Sequence, residues 1–159
     1  MRPIVLATDG SPSAAQAVRV AVELAHETGA KLFVTAAWEA GLTVYPYAPI
    51  SAVPEVEKAE RERATAAARA AIDRAKDASV EAESVVREGD PVDIVSQTAA
   101  DTGASLIVVG SHGWGALRRF VFGSVSTSLL HEAPCPVLVA RYDATKAEAP
   151  AQEKAKALA

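Results

Sequence analysis

The residues most able to do chemistry lie in VVGSHGWGALRRFVFGSVSTSLL (108–130), which holds four glycines, two adjacent arginines and a serine cluster. Fixing a glycine costs backbone entropy, so four within one short span imply a use. Gly110 and Gly113 turn the chain directly off an apolar run, and Gly123 stands before Ser124, Val125 and Ser126 at the start of a helical pattern. Glycine-rich turns and helix N-termini present unpaired N–H groups, the chemistry that holds phosphate. Ser124 and Ser126 add hydroxyls, and Arg118 and Arg119 add positive charge. The same glycines would equally make a plain tight turn, with Ser124 a simple helix cap. Neither G-x-x-x-x-G-K-[ST] nor G-x-G-x-x-G after the first strand occurs, so the common nucleotide signatures do not decide the matter.

Other reactive side chains are sparse. Asp9, in TDGS, follows an apolar run; it either meets a ligand or satisfies N–H groups of the next helix. Ser111 and His112 are a serine–histidine pair, but sequence neighbours rarely face each other usefully, so no catalytic role is expected of them. His26 and His131 fall on helical patterns as surface or capping residues, and no three ligands have metal-site spacing. The single cysteine, Cys135, lies between two prolines and reads as a packed residue at the start of a strand. The charges between Glu57 and Arg74 read as a solvated helix face with i,i+4 pairs.

The elements that must position these residues alternate regularly. Apolar or alternating runs at 3–8, 31–38, 80–89, 104–110 and 135–141 read as strands. Helical patterns occupy 11–29, 55–77, 90–103 and about 124–132. Two carry the same punctuation: Ser11–Pro12 with a Gly29 stop, and Asp90–Pro91 with a Gly103 stop. The segment 39–54, with three prolines and two tyrosines, reads as a long loop. Alternating strands and helices imply a doubly wound, five-stranded parallel sheet with helices on both faces, Rossmann-like. In order 3-2-1-4-5, a crevice opens between strands one and four at their carboxyl ends. TDGS and GSHGWG would both sit there. Residues 1–142 form the expected domain, and the polar, Ala-rich 143–159 a disordered or weakly helical tail.

Composition narrows the function classes. The 159 residues carry a formal charge of −4, which argues against nucleic acid as a partner. One cysteine cannot form an internal disulfide, no run reaches transmembrane length, and the N-terminus reads as a strand rather than a signal peptide. A cytoplasmic protein with no membrane partner is expected.

The glycines follow G-x2-G-x9-G-[ST] at Gly110, Gly113, Gly123 and Ser124. This spacing, together with IVLATDGSPSA, GDPVDIV and APCPVLVAR, resembles the universal stress protein family in its ATP-binding branch. The resemblance implies ATP, with or without Mg²⁺, as ligand. It implies that Asp9 contacts the ribose side and that Ala37 offers its backbone to adenine. It implies that Gly110, Gly113, Gly123, Ser124, Val125 and Ser126 surround the phosphates. It also implies a homodimer paired antiparallel through the last strand, Pro136 to Arg141. Trp114 departs from the small or basic residue more usual there. The expected function is a nucleotide-dependent regulator of the stress response rather than an enzyme. The alternatives are a slow ATPase or nucleotidyl-transfer enzyme using the same crevice, and an interaction module without nucleotide.

Overall fold

The computed structural model describes residues 2–40, 52–112 and 123–141. The strands are β1 (Ile4–Ala7), β2 (Leu32–Trp38), β3 (Ala82–Glu88), β4 (Leu106–Gly110) and β5 (Val137–Ala140). The helices are α1 (Pro12–Thr28), α2 (Val53–Asp77), α3 (Pro91–Thr102) and α4 (Ser124–Glu132). The sheet order is β3-β2-β1-β4-β5, every pair parallel, as the alternation predicts.

The punctuation works as read. The Ser11 hydroxyl accepts from Ala14 N and the Asp90 carboxylate from Val92 N and Asp93 N, so both helices start on a side-chain cap. Gly29 and Gly103 end them at φ 64° and 61°, a conformation in which a Cβ would collide with the following carbonyl. α2 starts before its expected position: Pro54, read as a loop residue, lies in its first turn, where a missing N–H costs nothing.

Side chains alternate across the sheet and build two cores. Ile4, Leu6, Leu32, Val34 and Val108 meet α1 and α2 on one face. Val5, Ile107 and Val109 meet Val95 and Ala99 of α3 and Leu129 of α4 on the other. α2 offers Ala64, Ala68, Ala71 and Ala75 to the sheet, one per turn in steps of four and three, so its backbone lies close. β1 is buried along its whole length, which explains its unbroken apolar run. Among the described residues no helix is long and apolar enough to cross a membrane. The tail, 143–159, lies outside the described residues.

Candidate functional site

Because all strands run parallel, β1, β2 and β4 release their chains at the same edge of the sheet. After β1, Thr8 Oγ1 accepts from Gly10 N (3.3 Å) and Asp9 Oδ1 from Ser11 N (2.9 Å). Asp9 thus shapes the turn into α1, one of the two roles the sequence allowed. After β4, Ser111 N donates to Ala140 O (3.0 Å), and Gly123 N donates to Ser111 O (2.7 Å). That second bond brings the start of α4 back to the tip of β4, although residues 113–122 intervene in sequence.

The first turn of α1 is tied to the same tip. His112 N donates to Ser13 Oγ (3.1 Å), Ser13 Oγ and Ser111 Oγ share a hydrogen bond (3.2 Å), and Ser11 Oγ donates to His112 O (3.4 Å). This closeness explains Gly110. A Cβ there would lie 2.8 Å from Ser13 C and Oγ and 2.9 Å from Ala14 N. Gly110 is therefore first a packing glycine.

A cavity of about 610 Å³ opens at this edge, well within the roughly 300–1,000 Å³ of small-molecule sites. Its floor holds Ala7, Val95 and Val109; Thr35, Ala37 and Trp38 of β2 close one end, and Gly123 to Ser126 the other. Of the residues picked from sequence, Asp9, Ala37, Gly110, Gly123, Ser124, Val125 and Ser126 all line it. Gly113, Trp114, Arg118 and Arg119 lie outside the described residues, as does most of the 39–54 loop.

Three readings change. Ser126 is buried and its hydroxyl points back to Gly123 O (3.0 Å) and Ser111 O (3.4 Å). It fastens α4 to the β4 exit, so only its N–H remains for a ligand. Ser111 and His112 do meet, Oγ to Nδ1 at 3.0 Å, contrary to the expectation for sequence neighbours. The α2 charge run is not wholly solvated: Glu60 and Arg63, paired at 2.6 Å, line the cavity. Thr8, Thr35 and His112 also line it and were not picked as ligand contacts. Alternation along the strands signals Thr35, which shares a face with Ala37; nothing in the sequence points α2 at the site.

Ser124 is the first residue of its helix, and Gly123 the cap, at φ −63° and ψ 160°. No side chain among the described residues caps α4, whereas α1 and α3 are both capped. Uncapped N–H groups carry partial positive charge. Elsewhere, burial pushes the Cys135 thiol up, against a smaller opposing effect of Arg2, which suits a packed residue rather than a thiolate nucleophile.

The universal stress protein family model matches residues 1–141, a span that contains every residue the structure describes. The chain belongs to the universal stress protein family. Universal stress protein YxiE of Bacillus subtilis is 31% identical over 144 residues, covering 87% of this chain and 97% of its own. A universal stress protein solved in complex with cAMP is 29% identical, with a TM-score of 0.64 over 87% of this chain and 95% of that one. A universal stress protein family protein of Arabidopsis thaliana with AMP bound shares the fold at 18% identity, with a TM-score of 0.68 over 94% of this chain and 97% of that one. In this universal stress protein the family match spans every element around the cavity, from β1 to β5.

Proposed function

We propose that this universal stress protein binds an adenine nucleotide, ATP, in the crevice between β1 and β4 and acts as a non-catalytic regulator of the stress response. One observation carries the reading: the uncapped N-terminus of α4 opens onto a 610 Å³ cavity whose other end is formed by Thr35, Ala37 and Trp38 of β2. A phosphate at Ser124–Ser126 would meet free N–H donors and the positive end of a helix. The ribose would lie by Asp9 and the base by Ala37. The relative solved with cAMP supports an adenine ligand. No three His, Cys, Asp or Glu side chains converge among the described residues, so Mg²⁺ would arrive on the phosphates. Calorimetric titration of nucleotide-free protein with ATP and Mg²⁺ should give one site per chain. Absence of binding at millimolar ATP would contradict the reading.

A second reading, slow hydrolysis or nucleotidyl transfer, is favoured by the Ser111–His112 contact, because His112 also lines the cavity. Phosphate release followed for hours during the same titration separates binding from turnover.

The proposal includes a homodimer through β5, within Pro136 to Arg141. The carbonyls of Pro136 and Ala140 accept from Ile107 N and Ser111 N, so these residues face β4 and the alternate residues 137 and 139 face away. β5 shows only apolar side chains at its edge, while the opposite edge strand, β3, carries Glu83, Arg87 and Glu88. Charged edges resist pairing and apolar ones invite it. Sedimentation velocity should give a mass of two chains. Val139→Pro, which removes an outward N–H and no ladder bond, should give one. A wild-type monomer would exclude the arrangement.

A further inference from the structure

Thr35 lies in the middle of β2 at 1% exposure, and its Oγ1 has no hydrogen-bond partner among the described residues. Its side chain lines the cavity at the β2 end, beside the floor of Ala7, Val95 and Val109. Packing does not require this hydroxyl, because valine has the same shape and equal or better strand propensity. In helices, threonines return the hydroxyl to the carbonyl one turn back, as the buried Thr98 and the half-buried Thr102 do at 2.7 Å. A strand offers no such neighbour, and a buried hydroxyl without a partner costs free energy. Something that enters the cavity can remove that cost.

Strand order says which part of a nucleotide that would be. Phosphates on α4 lie at the β4 end. β2 stands two strands away, roughly 10 Å at the usual inter-strand spacing. That span separates a phosphate from the base of the same nucleotide. At the β2 end Ala37 and Trp38 line the cavity beside Thr35, giving a flat ring apolar surface to lie against. We infer that the Thr35 hydroxyl recognises the polar edge of the base, fixing its orientation there. The hydroxyl both donates and accepts, as the ring nitrogens and exocyclic groups of a base require. This inference rests on the nucleotide reading above.

The test compares wild type, Thr35→Val and Thr35→Ser by calorimetry with AMP and with ATP, alongside thermal denaturation of ligand-free protein. Thr35→Val should weaken both ligands by the same factor, about three- to tenfold, as expected for one lost hydrogen bond. Its ligand-free melting temperature should stay level or rise, and Thr35→Ser should restore most of the affinity. Unchanged affinity in Thr35→Val would overturn the inference, leaving the hydroxyl to an ordered water. Weakening of ATP alone would place Thr35 on the phosphates and overturn it as well. So would a lowered ligand-free melting temperature in Thr35→Val, which marks a structural role. Wild type that binds neither AMP nor ATP overturns the nucleotide reading itself, and the inference with it.

Discussion

Gly123→Glu should abolish ATP binding at concentrations that saturate wild type, with circular dichroism nearly unchanged. Gly123 is at φ −63° and ψ 160°, extended backbone open to any residue, so the substitution introduces no backbone strain. A carboxylate at the start of a helix is tolerated by the helix dipole, so α4 should survive. The ligand would not. The glutamate would bring its own negative charge to the donors that a phosphate needs. Two like charges about 4 Å apart at an effective dielectric constant near 20 repel by roughly 4 kcal/mol, and salt reduces this. Even about 3 kcal/mol is more than a hundredfold in affinity. Gly123→Gln separates bulk from charge and should bind more tightly than Gly123→Glu. Wild-type affinity in Gly123→Glu, measured by calorimetry, would remove the phosphates from α4.

Gly110→Ala should produce the largest loss of stability expected from adding one methyl group. The new Cβ would meet the Ser13 carbonyl carbon and hydroxyl at 2.8 Å and Ala14 N at 2.9 Å. Two of these atoms are backbone at the start of a helix, so a side-chain rotation cannot relieve the contact. Moving α1 away would stretch the Ser13–His112 and Ser13–Ser111 hydrogen bonds together. Overpacking of this kind costs about 1–3 kcal/mol, and backbone contact puts Gly110 at the upper end. For a chain of this length, that is a melting temperature lower by about 5–10 °C. A melting temperature within a degree of wild type, read by calorimetric scan, would show that α1 can yield. Because the same turn walls the cavity, ATP affinity should fall in Gly110→Ala too.

The two glycines look alike in sequence and differ in the fold. Both fit the G-x2-G-x9-G-[ST] spacing. One is needed because a helix backbone presses against it; the other stands where its backbone angles would admit any residue. Spacing cannot tell these apart, because it records where a small residue stands and not what approaches it. Ser126 shows the same limit. It reads as a hydroxyl for phosphate, but its hydroxyl is turned back onto Gly123 and Ser111, carbonyls at the N-terminus of α4 and the tip of β4.

Local signals served well where the physics is local. A cap acts on N–H groups two or three residues away, so Ser11 and Asp90 could be read directly, as could the stops at Gly29 and Gly103. Continuous apolar runs showed that β1 and β4 lie inside the sheet, because only a strand covered on both faces is apolar at every position. Alternation of strand and helix then gave parallel strands and a crevice at their carboxyl ends. What only the tertiary structure decided are the meetings between distant residues. Glu60 and Arg63 belong to a helix whose charges alone suggest solvent, yet the crossover from β2 to β3 carries them over the cavity. Thr35 is one more β-branched residue in its strand until the sheet places it, buried and with no hydrogen-bond partner among the described residues, two strands from β4. The sequence determined the elements and the edge at which a ligand could sit, because caps, periodicity and handedness act over a few residues. The fold decided which side chains reach that edge, because burial and hydrogen bonding depend on what the rest of the chain brings alongside.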